Sequence, residues 1–196
     1  MTRTAAPLQL VLEPHPVLHH RSAPVRVFDS ALRRLVDEMF VRCEEWNGVG
    51  LAAPQVGRNL QVAVIVYEGR RFTICNPEVV SAEGEVDASE GCLSMPGNSG
   101  TVRRHERITL RYRNAQGKGR QREFEGWLSR IVQHESDHLM GSLYPDRLAP
   151  GASLEAADEE DPVEVVREHD APRRGGPKRK APVRAAATET EAAAQA

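Results

Sequence analysis

His134-Glu135-Ser136-Asp137-His138 constrains this chain more than any other stretch. In an α-helix each residue turns the chain by about 100° and rises about 1.5 Å, so two His four residues apart stand one turn apart on one face. Both imidazoles can then reach one metal ion. Glu135 projects from the flank of that face, where it can act as a general base without ligating the metal. The alternative is two amphipathic His on an ordinary helix. The apolar positions around them are Trp127, Leu128, Ile131, Val132 and Leu139, and the His pair shares the phase of Ile131. Such a helix has to turn its His face into the core rather than to bulk water. Gly126 precedes it and Gly141 closes it.

The sequence before this helix reads mostly as strands. Leu8 to Leu12 is a short apolar run stopped by Pro14 and Pro16. Asp29 can cap a helix whose apolar residues, Leu32, Leu35, Val36, Met39, Phe40 and Cys43, form a stripe of core-facing spacing that ends at Asn47-Gly48. Leu60 to Tyr67 is rich in β-branched residues and predicts a buried strand. A turn at Glu68-Gly69-Arg70 leads to a returning strand, Phe72 to Cys75, and Pro77 to Val80 continues extended. Thr101-Val102 and then Ile108-Leu110-Tyr112 alternate with polar residues, as a half-exposed strand does. A turn at Asn114-Ala115-Gln116-Gly117 precedes a last strand near Arg120 to Phe124. One helix, a run of strands and one buried helix predict an α+β fold: antiparallel or mixed sheets around a C-terminal helix that carries H-E-x-x-H.

The chain has 196 residues, enough for one domain plus a tail. The domain is expected over 1–150. From 151 to 196 the sequence is Ala, Pro, Gly and charge, with an acidic run, Asp158-Glu159-Glu160-Asp161, and a basic run from Arg173 to Lys180. Such composition cannot bury enough apolar surface to offset chain entropy, so a disordered tail is expected, with a transient helix near Pro162 to His169. The basic run is either a solvated linker or a contact with ribosomal RNA. The formal net charge of −2 and the low aromatic content, 5%, argue against DNA binding. Three cysteines are an odd number without disulfide or C-x-x-C spacing. Cys43 and Cys75 read as small buried hydrophobes, a usage that fits a reducing cytoplasm. No signal peptide and no membrane span are expected. His15, His19, His20, His105 and His169 read as surface residues.

Two further segments join the His pair. Glu90-Gly91-Cys92-Leu93-Ser94 supplies a thiol, and Gly48-Val49-Gly50-Leu51-Ala52-Ala53-Pro54-Gln55 is a small-residue loop that ends in a carboxamide. With Gln133-His134-Glu135-Ser136-Asp137-His138 they resemble, in order and spacing, the three signature motifs of the peptide deformylase family. The resemblance covers roughly residues 8 to 148. It implies a metal-dependent hydrolase that removes the N-formyl group from the N-terminal methionine of newly made proteins and releases formate. It implies Cys92, His134 and His138 as metal ligands, Glu135 as acid/base, and Gln55 with the Leu93 N–H as oxyanion donors. Fe(2+) is the expected ion, with Zn(2+) the alternative. Val49, Trp127, Ile131 and the Cβ region of His134 are candidates for the pocket that takes the Met side chain. Gly48-Val49-Gly50 is either an edge that pairs with the substrate backbone, Gly50 permitting close approach, or a simple turn. Glu90 and Arg104 either orient the ligands or form a surface ion pair. Ser99 departs from the family, many of whose members place an arginine near that point. The partners implied are N-formyl-Met nascent peptides and the ribosome, and a monomer is expected. The rival readings are another H-E-x-x-H metallopeptidase and a catalytically silent deformylase-like paralogue that binds the ribosome or nascent chains.

Overall fold

A computed structural model describes residues 6–157. Helix α1, Ser30–Glu45, starts where expected: the Asp29 carboxylate accepts hydrogen bonds from the Ala31 and Leu32 N–H groups. These satisfy two of the donors that the first turn leaves open. Its buried side chains are Leu32, Val36, Met39, Phe40 and Cys43, and Leu35 packs at the margin of the same cluster.

The strands are β1 (Gly50–Ala52), β2 (Val62–Tyr67), β3 (Arg70–Glu83), β4 (Val86–Gly91), β5 (Asn98–Arg104), β6 (Arg107–Arg113), β7 (Gly119–Glu125) and β8 (Leu154–Ala156). A five-stranded sheet has the order β1-β2-β3-β6-β7, a three-stranded sheet the order β4-β5-β8, and every named pairing is antiparallel. Helix α2, Gly126–Met140, follows β7 directly and ends at Gly141, whose φ of 78° is the left-handed conformation that a glycine cap adopts readily. The architecture is α+β with the motif helix buried, as the sequence predicts.

Two apolar clusters hold these layers. One packs α1 on β1 and β2 through Leu32, Val36, Met39, Leu51, Val62 and Val64. The other packs α2 on the opposite side of the large sheet through Ile65, Ile74, Ile108, Leu110, Phe124 and Leu128. Alternation in β6 follows the sequence, with Ile108, Leu110 and Tyr112 buried and Arg111 and Arg113 exposed.

One expectation changes. The separate strand and extended piece expected at Phe72–Cys75 and Pro77–Val80 are one strand, β3. Its first half pairs with β2 and its second with β6, with register shifts at Cys75/Glu78 and Val79/Ser81. Asn76 has a φ of 52° at the first shift. The outer half is exposed on both faces and so carries no apolar alternation to announce it. Strand pairing also continues past residue 150. Leu154–Ala156 pairs with β5, Ser99 facing Glu155, although all three β8 residues are exposed. Backbone hydrogen bonds hold this strand, and a side-chain pattern cannot reveal that. The run Pro162 to His169, the basic run and the rest of the tail lie outside the described residues.

A chain that ends at Ala157 should therefore melt like the full-length protein. One that ends at Ala152, which lacks β8, should fold but melt about 2–4 °C lower, the shift that about 1 kcal/mol produces in a domain of this size. Circular dichroism melts of the three lengths check this, and equal melting would show that β8 adds no stability.

Candidate metal centre

The site forms where α2 meets the turn after β4. On α2, Arg130, His134 and His138 stand at successive i, i+4 positions and form one row, with Ile131 and Glu135 in the next. Cys92 follows the last residue of β4. The ligand atoms of Cys92, His134 and His138 all lie within 4.8 Å of one another. Cys92 Sγ is 3.3 Å from His138 Nε2, and the two imidazole rings are 5.0 Å apart at 74°.

Hydrogen bonding selects which nitrogens face the site. His134 Nδ1–H donates to Glu90 Oε2 at 2.9 Å, which leaves Nε2 to face Cys92. Burial pushes the His138 imidazole well below its usual range, so it is neutral and keeps a lone pair for a metal. One sulfur and two imidazole nitrogens this close fit a single divalent ion and leave a fourth tetrahedral position open. A second observation agrees with that fit. Glu135 is 4% exposed, its Oε2 has no hydrogen-bond partner among the described residues, and burial raises its carboxyl to about 7.

The Glu90 carboxylate organises the second layer. It accepts from Arg104 Nε at 2.9 Å and Nη2 at 3.0 Å, from Arg130 Nη1 at 2.6 Å and from His134. Burial alone would raise its pKa, but the hydrogen bonds from His134 and Arg104 outweigh it and hold the carboxyl well below the usual range. Arg104 also pairs with Asp137, which in turn meets Arg147 at 3.1 Å. Glu90 and Arg104 are thus a buried orienting pair rather than a surface one.

Gln55 lies in a short 3-10 turn, Ala53–Val56, that follows β1. Its Oε1 accepts from the Ala52 N–H at 2.8 Å, and this turns Nε2 toward Ser94 Oγ at 3.3 Å and Cys92 Sγ at 3.6 Å. A cleft open to solvent lies over these groups, and its walls include Val49, Leu93, Trp127, Ile131 and Glu135. Every site residue that the sequence singles out therefore comes together here.

Gly50 has a structural reason besides the one expected. A Cβ there would stand 2.3 Å from Glu135 Oε1, so the missing side chain makes room for the Glu135 carboxylate against β1. The sequence reading also missed Arg130, Ser94 and Asp137. Arg130 carried a usable signal, because a charged residue one turn before His134 shares the inward row. Cys43 and Cys75 stand outside the site, and burial pushes both thiols up to about 12. His15, His19, His20 and His105 are likewise exposed and outside it, and His169 lies outside the described residues.

The model of the polypeptide deformylase family matches residues 7–153. The chain belongs to that family. A peptide deformylase of Wolinella succinogenes is 41% identical over 150 residues, 72% of this chain and 88% of its own. One from Symbiobacterium thermophilum is 41% identical over 165 residues, 81% of this chain and 75% of its own. Among solved structures, the peptide deformylase of Thermotoga maritima superposes with a TM-score of 0.73 at 35% identity, covering 74% of this chain and all of its own. That of Legionella pneumophila gives 0.71 at 40% identity, covering 74% of this chain and 88% of its own. The deformylase match ends at residue 153, immediately before β8.

The wild-type deformylase should hold one divalent ion per chain, and Cys92→Ser should retain at least about tenfold less, the scale on which a lost contact weakens such sites. Elemental analysis after dialysis reads this directly. Full retention by Cys92→Ser would remove the sulfur from the ligand set.

Proposed function

We propose that this chain hydrolyses the N-formyl group from the N-terminal methionine of newly made proteins and releases formate. The observation that carries the reading is the unpartnered Glu135 carboxylate beside three converging metal donors, in a chain of the deformylase family. Cys92, His134 and His138 hold one ion, Fe(2+) in the cell and Zn(2+) as the alternative. Such an ion, when bound, supplies a Lewis acid and lowers the pKa of a water. Glu135 takes a proton from the attacking water and passes it to the departing amine nitrogen. Burial favours the protonated carboxyl and a bound ion beside it would favour the carboxylate, so Glu135 is set both to take the proton and to give it up. The Gln55 Nε2–H and the Leu93 N–H meet the negative charge that develops on the formyl oxygen, each worth about 3 kcal/mol in the transition state.

The substrate backbone adds along β1, which lies at the edge of the large sheet, so that Val49 and Gly50 flank it. The Met side chain enters the cleft between Val49, Trp127 and Ile131. Other H-E-x-x-H peptidases usually take their third ligand downstream of the motif, whereas here the third donor, Cys92, lies upstream. A silent paralogue would have no use for a buried carboxylate held beside the donors. No helix among the described residues is long and apolar enough to cross a membrane. The reading includes a cytoplasmic monomer that acts on nascent peptides, with Arg173 to Lys180 as a salt-sensitive ribosome contact and residues beyond Ala157 as a tail outside the catalytic domain.

Glu135→Gln preserves size and removes the proton acceptor. It should keep its metal and lose turnover of a formyl-Met peptide by at least about a hundredfold. Near-normal turnover by the metal-loaded variant would end the role given to Glu135. Gly50→Ala should also keep its metal, because the three atoms nearest the added methyl belong to Glu135 and not to a ligand. The displaced Glu135 carboxylate should lower kcat by at least about tenfold, within the range of general-base contributions. An unchanged kcat would mean that Glu135 can move without loss.

A further inference from the structure

Arg130 is 6% exposed, an unusual depth for a guanidinium. Its partners explain the burial. Nη1 donates to Glu90 Oε1 at 2.6 Å and to the Val102 carbonyl at 3.0 Å, and Nη2 donates to the Val86 carbonyl at 2.6 Å. Val86 opens β4, and Val102 lies in β5. One side chain of α2 therefore grips two strands of the small sheet, β4 and β5. That grip has a chemical consequence. α2 delivers the two nitrogen donors and β4 delivers the sulfur donor, so Arg130 spans the joint across which the three donors meet. It also shares the Glu90 carboxylate with His134, whose ring orientation depends on that carboxylate.

The same guanidinium has a second face. It lies 5.5 Å from the centroid of the Trp127 ring, and both residues line the cleft. A cation over an indole fixes the ring's position without a hydrogen bond. A planar fork can address three acceptors in different directions and still stack. A lysine ammonium, a point charge on a flexible stem, cannot do both.

We propose that Arg130 is a positioning residue with two outputs. It holds the sulfur and nitrogen donors at one separation, and through Trp127 it sets the wall against which the substrate's first side chain packs. The second output rests on the deformylase reading, and the first does not.

The test uses the full-length chain with Arg130→Lys, Arg130→Met and Trp127→Leu. Affinity for Zn(2+) is measured by competition with a chromogenic chelator, without any turnover. Selectivity is the ratio of kcat/KM for formyl-Met and formyl-Gly peptides of otherwise identical sequence. Both Arg130 variants should bind Zn(2+) at least about tenfold more weakly, as expected when the support of a ligand is removed. Both should also lose several-fold in the Met-over-Gly ratio. Trp127→Leu should lose the ratio and keep its Zn(2+) affinity. A role confined to stability would lower the melting temperature and move neither readout. If Arg130→Met does not fold, Arg130→Lys and Trp127→Leu decide. Zn(2+) affinity within about twofold of wild type in the folded Arg130 variants overturns the first output. An unchanged selectivity ratio overturns the second. If the wild-type chain deformylates no peptide at all, the functional reading fails and the Zn(2+) affinities still judge the first output.

Discussion

The Glu90 carboxylate, 3% exposed, accepts hydrogen bonds from two guanidinium groups and one imidazole. A carboxylate taken that far from water is costly unless charge and hydrogen bonds replace its hydration. Arg104 and Arg130 supply both, and Asp137 balances part of the surplus positive charge on Arg104. The arrangement stabilises only as a set. Removing one member of such a buried ion pair typically costs about 3–5 kcal/mol, because the partner is left charged and unsatisfied. That cooperativity suits a metal site. His134 cannot swing away from the donors without breaking its bond to the carboxylate that two arginines share.

The network also decides how the two sheets come together. α2 packs on the large sheet through aliphatic side chains, Leu128, Ile131 and Val132 among them. That contact is apolar and tolerant in direction. Against the small sheet it presents Arg130, whose hydrogen bonds reach Glu90 and the Val86 and Val102 carbonyls. Hydrogen bonds to fixed acceptors are directional, so they set the position of Cys92 relative to the His pair in a way that hydrophobic burial cannot. Glu135 is placed by a different means. It fills the space that Gly50 leaves on β1, and this packs the carboxylate beside the donors with one oxygen unpartnered among the described residues.

Much of this was legible from residue order. The buried phase of α2 followed from Ile131, Val132 and Leu139, and the cap of α1 from Asp29. The strand alternation of β6 followed from Ile108, Leu110 and Tyr112. Each of these signals is local, set by the 3.6-residue or two-residue period of one element. β8 escaped because three exposed residues are held by backbone pairing alone, and the length of β3 escaped because its outer half lies open on both faces.

The sequence by itself determined that two His share one face of a buried helix beside a carboxylate, and the resemblance of its motifs to a family added Cys92 and Gln55. Spacing within one helix puts His134 and His138 on one row, and the types of Cys92, Glu135 and Gln55 limit what such a site can do. Only the tertiary structure decided that Glu90 is a buried partner of both His134 and Arg104, that Arg130 joins the helix to the small sheet, and that Gly50 serves Glu135. Those relations link residues 14 to 85 positions apart in the chain. No period within a single element encodes them, because they arise where separate elements, each folded by its own local pattern, pack together.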